Sequence, residues 1–326
     1  MTIFNIEDNV RDLVKASVVA IGVFDGVHLG HRALIEEAAS LAKDKGISSV
    51  VLTFDRHPLE IINKDKAPLM IMDLEQKVAK LKEVGVDYVA VLKFDLKRSH
   101  QSAHEFIEEV LVGALNVRSV VVGNDFRFGR DREGSVEYLA KYGPSYGFEV
   151  TSFELVTRQH KFDEGVTEST VEVPISSTLI RSLLSSGELE KASHLLSRYP
   201  TYIGKVLHGH ARGGAELGFP TANIEVNKRI IIPKVGVYAS LVLLDDGRRF
   251  RSATSIGTRP TFLENAEISF ETYILDLNED IYERTIEVSL VQRIRDDKKF
   301  DSKEDLVNQM ENDIVKIRSL LATISL

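Results

Sequence analysis

The sequence predicts two linked folds: a doubly wound α/β domain on a parallel sheet, then a small antiparallel β-barrel with a C-terminal helix. Three observations predict them. The first half alternates short, near-continuous apolar runs with stretches of helical spacing, as βαβ units do. From Tyr202 to Ile294 helical spacing gives way to runs of strands and turns. The end, "DSKEDLVNQMENDIVKIRSLLATI", returns to helical spacing behind a start at Asp301 or Ser302.

In chain order, "SVVAIGVF" (17–24), "SVVLTF" (49–54), "YVAVLKF" (88–94), "SVVVG" (119–123) and "FEVTSFELV" (148–156) read as strands. A helix over about 30–45 carries Leu34, Ile35, Ala38, Leu41 and Ala42 on one face. A second starts at Asp73, with Gln76 three residues on, and runs to about Val84. A third starts at Ser102, with Glu105 three residues on; both starts have the capping-box pattern. "SSTLIRSLLSSG" and "ELEKASHLLSRYP" read as two short helices, the second ended by Pro200. Asp246-Gly247 marks a hairpin within "GVYASLVLLDDGRRFRSATSIG". "EISFETYILDLNEDIYERTIEVSLVQRI" reads as a further strand–turn–strand unit. The expected organisation is a first domain over 1–186, a linker helix over 187–200 and a second domain over 201–326.

Bulk properties narrow the function. With 326 residues and 43% hydrophobic content, the chain can bury the cores of about two domains. A net charge of -8 argues against a general nucleic-acid binder. No window approaches the roughly 18 apolar residues of a membrane span, and "MTIFNIEDNVRDL" lacks a signal pattern. The absence of Cys excludes disulfides, a thiol nucleophile and Cys-based zinc sites. A cytoplasmic location is expected, and the sequence carries no signal for an oligomeric state.

The chemistry concentrates in a few motifs. In "GVFDGVHLGH" (22–31), Gly22, Phe24, Asp25 and Gly26 form a turn between a strand and a helix, whose N–H groups favour an anion. His28 and His31 lie at its mouth, where they can donate to a phosphate, pack structurally or bind a metal. HxxH lacks an obvious third ligand, and neither a Walker A nor a GxGxxG pattern is present. In "PISSTLIRSLLSSG", Ser176, Ser177 and Thr178 precede Arg181 by about a turn, giving either an oxyanion cradle or an ordinary cap. In "GNDFRFGRDREGS", Asn124 and Asp125 can bond a ribose or base, while Phe126 and Phe128 either stack on a ring or fill the core.

In the second half, "GKVLHGHARGGAELGFPTANI" (204–224) sets glycines, Gly213 and Gly218 among them, around Arg212. Such backbone can approach phosphates closely, or simply turn a barrel corner. Thr221 and Asn223 lie two apart, so an extended chain points both the same way, offering hard oxygens suited to Mg²⁺. Glu271 sits within an apolar strand, "ISFETYILD", facing either a site or solvent. Arg295 belongs to a charged turn, "RIRDDKKF".

"GVFDGVHLGH", "TFDRHP" (53–58), "GNDFRFG" and "ISSTLIR" resemble, in order, the FMN adenylyltransferase module of bacterial bifunctional riboflavin kinase/FAD synthetases. "HGHARGGAELGFPTAN", "GVYA", "SIGTRPTF", "FETYILD" and "RDDKKF" are similar to the riboflavin kinase module of the same family. Together they span residues from about 15 to 315. The chain departs from the family at Asp55-Arg56, where Glu-Pro is more usual, and in "RGGAEL", which lacks a common Gly-Arg pair.

The resemblance implies a Rossmann-like nucleotidyltransferase domain and a Greek-key kinase barrel. Riboflavin, FMN and ATP become the small-molecule partners, with Mg²⁺ as cofactor and ATP as co-substrate. His28 and His31 would stabilise charge on the α-phosphate during in-line attack by FMN. Ser176, Ser177, Thr178 and Arg181 would hold the departing phosphates, beside the turn formed by Gly22, Phe24, Asp25 and Gly26. His57, Asn124, Asp125, Phe126, Phe128 and Arg295 would lie on the ribose or flavin side. Gly213, Gly218, Thr221 and Asn223 would bind phosphate, Thr221 and Asn223 also Mg²⁺, and Glu271 would be the kinase's general base. The competing readings are a silent flavin-binding regulator, a transferase with another acceptor, and a metal-dependent hydrolase using the two histidines.

Overall fold

Strand β2 (Ser17–Ile21) is buried along its whole length and lies mid-sheet. In the computed structural model, which describes residues 2–6, 13–154, 157–162, 169–208, 219–259 and 267–326, the chain divides at Ser177/Thr178 into two units.

The first unit is built on six parallel strands in the order β1-β4-β3-β2-β5-β8. These are β1 (Thr2–Asn5), β2, β3 (Ser48–Phe54), β4 (Tyr88–Leu92), β5 (Val117–Gly123) and β8 (Glu149–Phe153). Val-rich strands with both faces buried fit a sheet covered on two sides: Val19, Ile21 and Leu52 join one core, Val18, Ala20 and Val51 the other. Helix α1 (Leu29–Lys45) buries Leu34, Ile35, Ala38 and Ala42, the face expected from spacing. Short helices α2 (Leu59–Ile62), α4 (Leu96–Ser99), α5 (Ala103–Phe106) and α6 (Val136–Tyr142) fill the crossovers. Between them α3 (Leu74–Glu83) starts from a complete Asp73–Gln76 capping box. The Ser102–Glu105 box starts α5, but the chain then widens into a π-helical stretch, Ile107–Ala114.

From β2 the chain moves to β3 on one side and only later to β5 on the other. The winding therefore reverses between β2 and β5, the point at which open α/β sheets place a ligand beyond the carboxyl ends of their strands. The ribbon β6 (Arg127–Phe128) with β7 (Gly134–Ser135), and the antiparallel pair β9 (Thr157–Phe162) with β10 (Ser169–Pro174), were not expected from pattern. Nor was β1, an edge strand of four residues that is mostly exposed and carries no long apolar run.

The division falls within the first turn of α7 (Ser177–Ser186); the second unit continues through α8 (Leu189–Leu196) into a closed antiparallel barrel in the order β11-β12-β15-β14-β13-β16. Its strands are β11 (Thr201–Leu207), β12 (Ala222–Val226), β13 (Gly236–Leu244), β14 (Arg249–Arg259), β15 (Glu267–Ile274) and β16 (Thr285–Arg295). β13 and β14 form the hairpin expected around Asp246-Gly247. β15 and β16 are both strands, yet they do not pair: β15 is held between β12 and β14, so β16 closes the barrel between β13 and β11. Tyr202, Val206, Ile256, Phe270 and Val288 fill the interior with a hydroxyl chain, Ser252–Ser240–Thr254–Thr272, linked at 2.7, 2.7 and 3.0 Å. The C-terminal helix, Lys303–Leu321, starts at Ser302 and packs Ile317 and Leu321 against Ala239 and Leu275.

Candidate active sites

The loop after β2 carries the first motif, and its backbone is unusual. Phe24 and Val27 have φ of 51° and 38°, and Gly26 has 85°. A buried β-branched residue at positive φ is strained, and such strain collects where a surrounding structure fixes a functional loop. The ring of Phe24 folds back over Gly22, where an added Cβ would stand 2.9 Å from it. Asp25 is 2% exposed, and its carboxylate accepts the Ile71 N–H at 2.9 Å. That bond ties the loop to the segment leading into α3.

His28 is 3% exposed and caps α1: its Nδ1 accepts the His31 N–H at 3.2 Å. In its neutral form His28 therefore carries its proton on Nε2. The rings of His28 and His31 stack with centroids 3.6 Å apart, and Phe24 meets His31 edge-on at 5.2 Å. The two imidazoles thus stand side by side at the start of a 17-residue helix.

A distant motif arrives at the same loop. The Ser177 hydroxyl donates to the Asp25 carbonyl at 2.9 Å, which brings "ISST" against "GVFDG". Ser176 is half-buried beside it, while Thr178 and Arg181 lie on α7, Thr178 exposed and Arg181 half-buried. His57 follows β3, where its Nδ1 accepts the Leu59 N–H at 3.2 Å as α2 begins. Asp55, from the unusual Asp-Arg pair, accepts the Phe94 N–H at 2.8 Å and Arg56 Nε at 2.9 Å, so it joins the exits of β3 and β4. Asn124 and Asp125 are exposed in the loop after β5. Phe126 stacks on Phe128 at 5.6 Å, but only Phe126 is half-open; Phe128 is packed by Phe106 and Tyr138 in the core. Because β3, β2 and β5 are adjacent and parallel, all three loops leave the same edge of the sheet.

Residues that pattern did not single out complete this edge. Lys77 on α3 is buried, and its ammonium donates to the carbonyls of Val23 and Phe54. Its signal was a charged residue on the apolar stripe of an amphipathic helix. Among the described residues, no group of three or more His, Cys, Asp or Glu is placed to hold a metal ion.

In the barrel, strand register does the positioning. Asn223 on β12 is the direct partner of Glu271 on β15, Glu271 pairs with Ser255 on β14, Ser255 with Val237 on β13, and Val237 with Arg295 on β16. Asn223, Glu271 and Arg295 therefore follow one another in register around the closed barrel, with Arg295 three strands, half the circuit, from Glu271. The alternation turns Ala222 and Thr272 inward, so Asn223 and Glu271 face outward and are half-buried. Thr221 precedes β12, and Phe219 packs edge-on to Tyr273 at 5.5 Å. Gly213 and Gly218 lie outside the described residues. Arg295 is held by the C-terminal helix: its Nε donates to Asp313 at 2.7 Å, and Gln309 donates to the other Asp313 oxygen at 2.9 Å. Asp313, like Lys77, was not singled out from pattern, since its partner comes from another element.

Comparison with known proteins assigns both halves. A family model described as FAD synthetase matches residues 11–164, and one described as riboflavin kinase matches residues 196–321. A bifunctional riboflavin kinase/FMN adenylyltransferase of Listeria monocytogenes is 40% identical over 306 residues, covering 94% of this chain and 92% of the relative. The chain belongs to the bifunctional riboflavin kinase/FMN adenylyltransferase family. Members from Escherichia coli K12 and Bacillus subtilis are 38% and 35% identical, each covering 93% of this chain and 92% of the relative. A crystal structure described as a macrolide-efflux protein from Streptococcus pneumoniae superposes with a TM-score of 0.81 at 32% identity. It covers 98% of this chain and 99% of that one. Among the described residues of this family member, no helix is long and apolar enough to cross a membrane.

Proposed function

We propose that this family member phosphorylates riboflavin with ATP in its barrel and adenylylates the resulting FMN in its parallel-sheet unit, releasing pyrophosphate. The observation that carries the reading is the direct pairing of Asn223 with Glu271, which puts an amide oxygen and a carboxylate side by side on an accessible strand face.

In the barrel, Glu271 takes the proton of the terminal ribityl hydroxyl as its oxygen attacks the γ-phosphorus of ATP and ADP leaves. The protein's task in such a transfer is mainly to position the acceptor. The Thr221 hydroxyl and Asn223 carboxamide suit Mg²⁺, which is held by few protein oxygens and completed by phosphates. When bound, Mg²⁺ neutralises phosphate charge. Arg295, fixed by Asp313, serves the flavin, and the family resemblance assigns Gly213 and Gly218 to the ATP phosphates.

In the first unit an FMN phosphate oxygen attacks the α-phosphorus of ATP in line, and the bond to pyrophosphate breaks. His28 and His31 donate to the α-phosphate oxygens, where charge gathers. The resemblance assigns Ser176, Ser177, Thr178 and Arg181 to the leaving phosphates, supported for Ser177 by its bond to the motif loop within the first unit. Gly22, Phe24, Asp25 and Gly26 shape the turn beneath the nucleotide. His57, Asn124 and Asp125 serve the ribose and flavin, with Phe126 offering a ring face and Phe128 supporting it from the core. The assignment of 1–186 and 201–326 as the two catalytic modules, with 187–200 linking them, belongs to the same reading. So do a cytoplasmic location and the lack of a nucleic-acid partner, the latter supported by the net charge of -8.

The test is flavin chromatography after incubating the purified protein with riboflavin, ATP and Mg²⁺. Sequential FMN and FAD is the expected result. FMN alone would overturn the first-unit reading, and tight riboflavin binding without conversion would overturn both.

A further inference from the structure

Helix α3 packs Leu74, Val78 and Leu81 into the core, and Lys77 shares that buried face at 2% exposure. Its spacing calls for an apolar side chain there. Burying an ammonium costs several kcal/mol unless its donors are met, so a lysine needs a reason that a methionine would not.

That reason lies at the carboxyl edge of the sheet. Lys77 Nζ donates to the Phe54 carbonyl at 2.7 Å and to the Val23 carbonyl at 3.1 Å. The Thr53 hydroxyl donates to the same Val23 oxygen at 3.1 Å. Phe54 ends β3 within "TFDRHP", and Val23 belongs to "GVFDGVHLGH", five residues before His28. One ammonium thus joins the two motif loops where they leave neighbouring strands. Two carboxylates act on it through space, Asp25 from the loop after β2 and Asp55 from the loop after β3. Burial pushes the lysine down to about 8, while Asp25 and Asp55 pull it the other way.

We propose that Lys77 is a positioning residue for adenylyl transfer: it fixes the loop carrying His28 and His31, and it sets a positive charge at the sheet edge that receives the ATP phosphates. The proposal rests on the roles given to the two histidines above. It also gives the adenylyl reaction an alkaline limit, since loss of the proton removes the charge and weakens both bonds.

The test uses the full chain with Lys77→Met and Lys77→Arg. Adenylylation of supplied FMN is followed from about pH 6.5 to about 9.5, with riboflavin phosphorylation by the same preparation as a control. Lys77→Met is expected to lower the adenylylation kcat about 10- to 100-fold, as a misplaced site does, with kinase kcat unchanged. Wild-type adenylylation is expected to fall as pH rises through about 8, and Lys77→Arg to stay active without that fall. Wild-type kcat in Lys77→Met, or the same alkaline limb in Lys77→Arg, overturns the proposal. If Lys77→Met does not fold, the Lys77→Arg profile decides alone. A His28→Ala, His31→Ala double variant separates the two readings. Full activity there overturns the histidine roles, whereas an inactive double variant beside an indifferent Lys77 overturns only this inference.

Discussion

Asn223 and Glu271 are register partners on neighbouring antiparallel strands, β12 and β15. Residues so paired hold their Cβ atoms about 5 Å apart on one face. An amide and a carboxylate at that separation can serve the two ends of one phosphoryl transfer, the phosphate and the acceptor hydroxyl. The β-sheet fixes that spacing through backbone hydrogen bonds.

Glu271→Gln keeps the size of the side chain and removes the proposed base. Riboflavin phosphorylation is expected to fall about 10²- to 10⁴-fold in kcat, the usual range for general-base loss. Adenylylation of supplied FMN should continue at the wild-type rate. Chromatography with riboflavin, then with FMN, as starting flavin separates the two; unchanged FMN formation would sink the assignment of the base.

His31→Ala removes one imidazole from the stacked pair and leaves the His28 cap on α1 without its stacking neighbour. It is expected to lower adenylylation about 10²- to 10³-fold, the cost of one oxyanion donor, so riboflavin is converted to FMN and stops there. His28→Ala adds a loss of about 1 kcal/mol in helix stability, because Nδ1 caps the His31 N–H. Thermal melting distinguishes the two variants. Equal melting shifts would contradict the capping role.

The acid limit of the barrel follows from surface carboxylates. Arg248 and Arg284 beside Asp246 hold its carboxyl below the usual range, and Lys205 does the same for Glu283. With folded values below unfolded ones near 4, their contribution is complete above about pH 5. It is lost as pH falls through the folded values. Melting temperature should therefore drop steadily as pH falls below about 5, and more weakly in Asp246→Asn. High salt should flatten the wild-type curve, since these pairs are exposed. A wild-type slope preserved in Asp246→Asn would exclude this network as its source.

Local pattern made most of the parallel sheet legible. The valine-rich runs of β2 to β5 declare themselves because both faces are buried, and the Asp73 and Ser102 boxes announce their helices. β1 was invisible, being a short exposed edge, and the pairing of β16 with β13 and β11 follows from barrel closure, which no local stretch encodes. Among the proposed site residues, the His28–His31 pair and the Thr221, Asn223 and Glu271 set stand in motifs. Lys77 and Asp313 do not, because their meaning lies in partners from other elements. A charge on an apolar helix stripe is the trace that each leaves: Lys77 beside Leu81, Asp313 beside Ile317.

Asp313 is nearly buried, and its carboxylate fixes Arg295 Nε at 2.7 Å while Gln309 holds its other oxygen. Arg295 also donates to the Asp296 carbonyl at 3.0 Å and lies 5.8 Å from the Phe300 ring centre. Replacing the carboxylate by Asp313→Asn leaves the guanidinium with a neutral partner, at about 1 to 3 kcal/mol in stability. If Arg295 serves flavin binding, its loosened position should raise the kinase KM for riboflavin about tenfold, about 1.4 kcal/mol, with kcat little changed. Glu271→Gln should show the opposite split, low kcat with near-normal KM. A fall in kcat without a rise in KM for Asp313→Asn would remove Arg295 from the flavin side and place its helix contact in the chemistry of phosphoryl transfer instead.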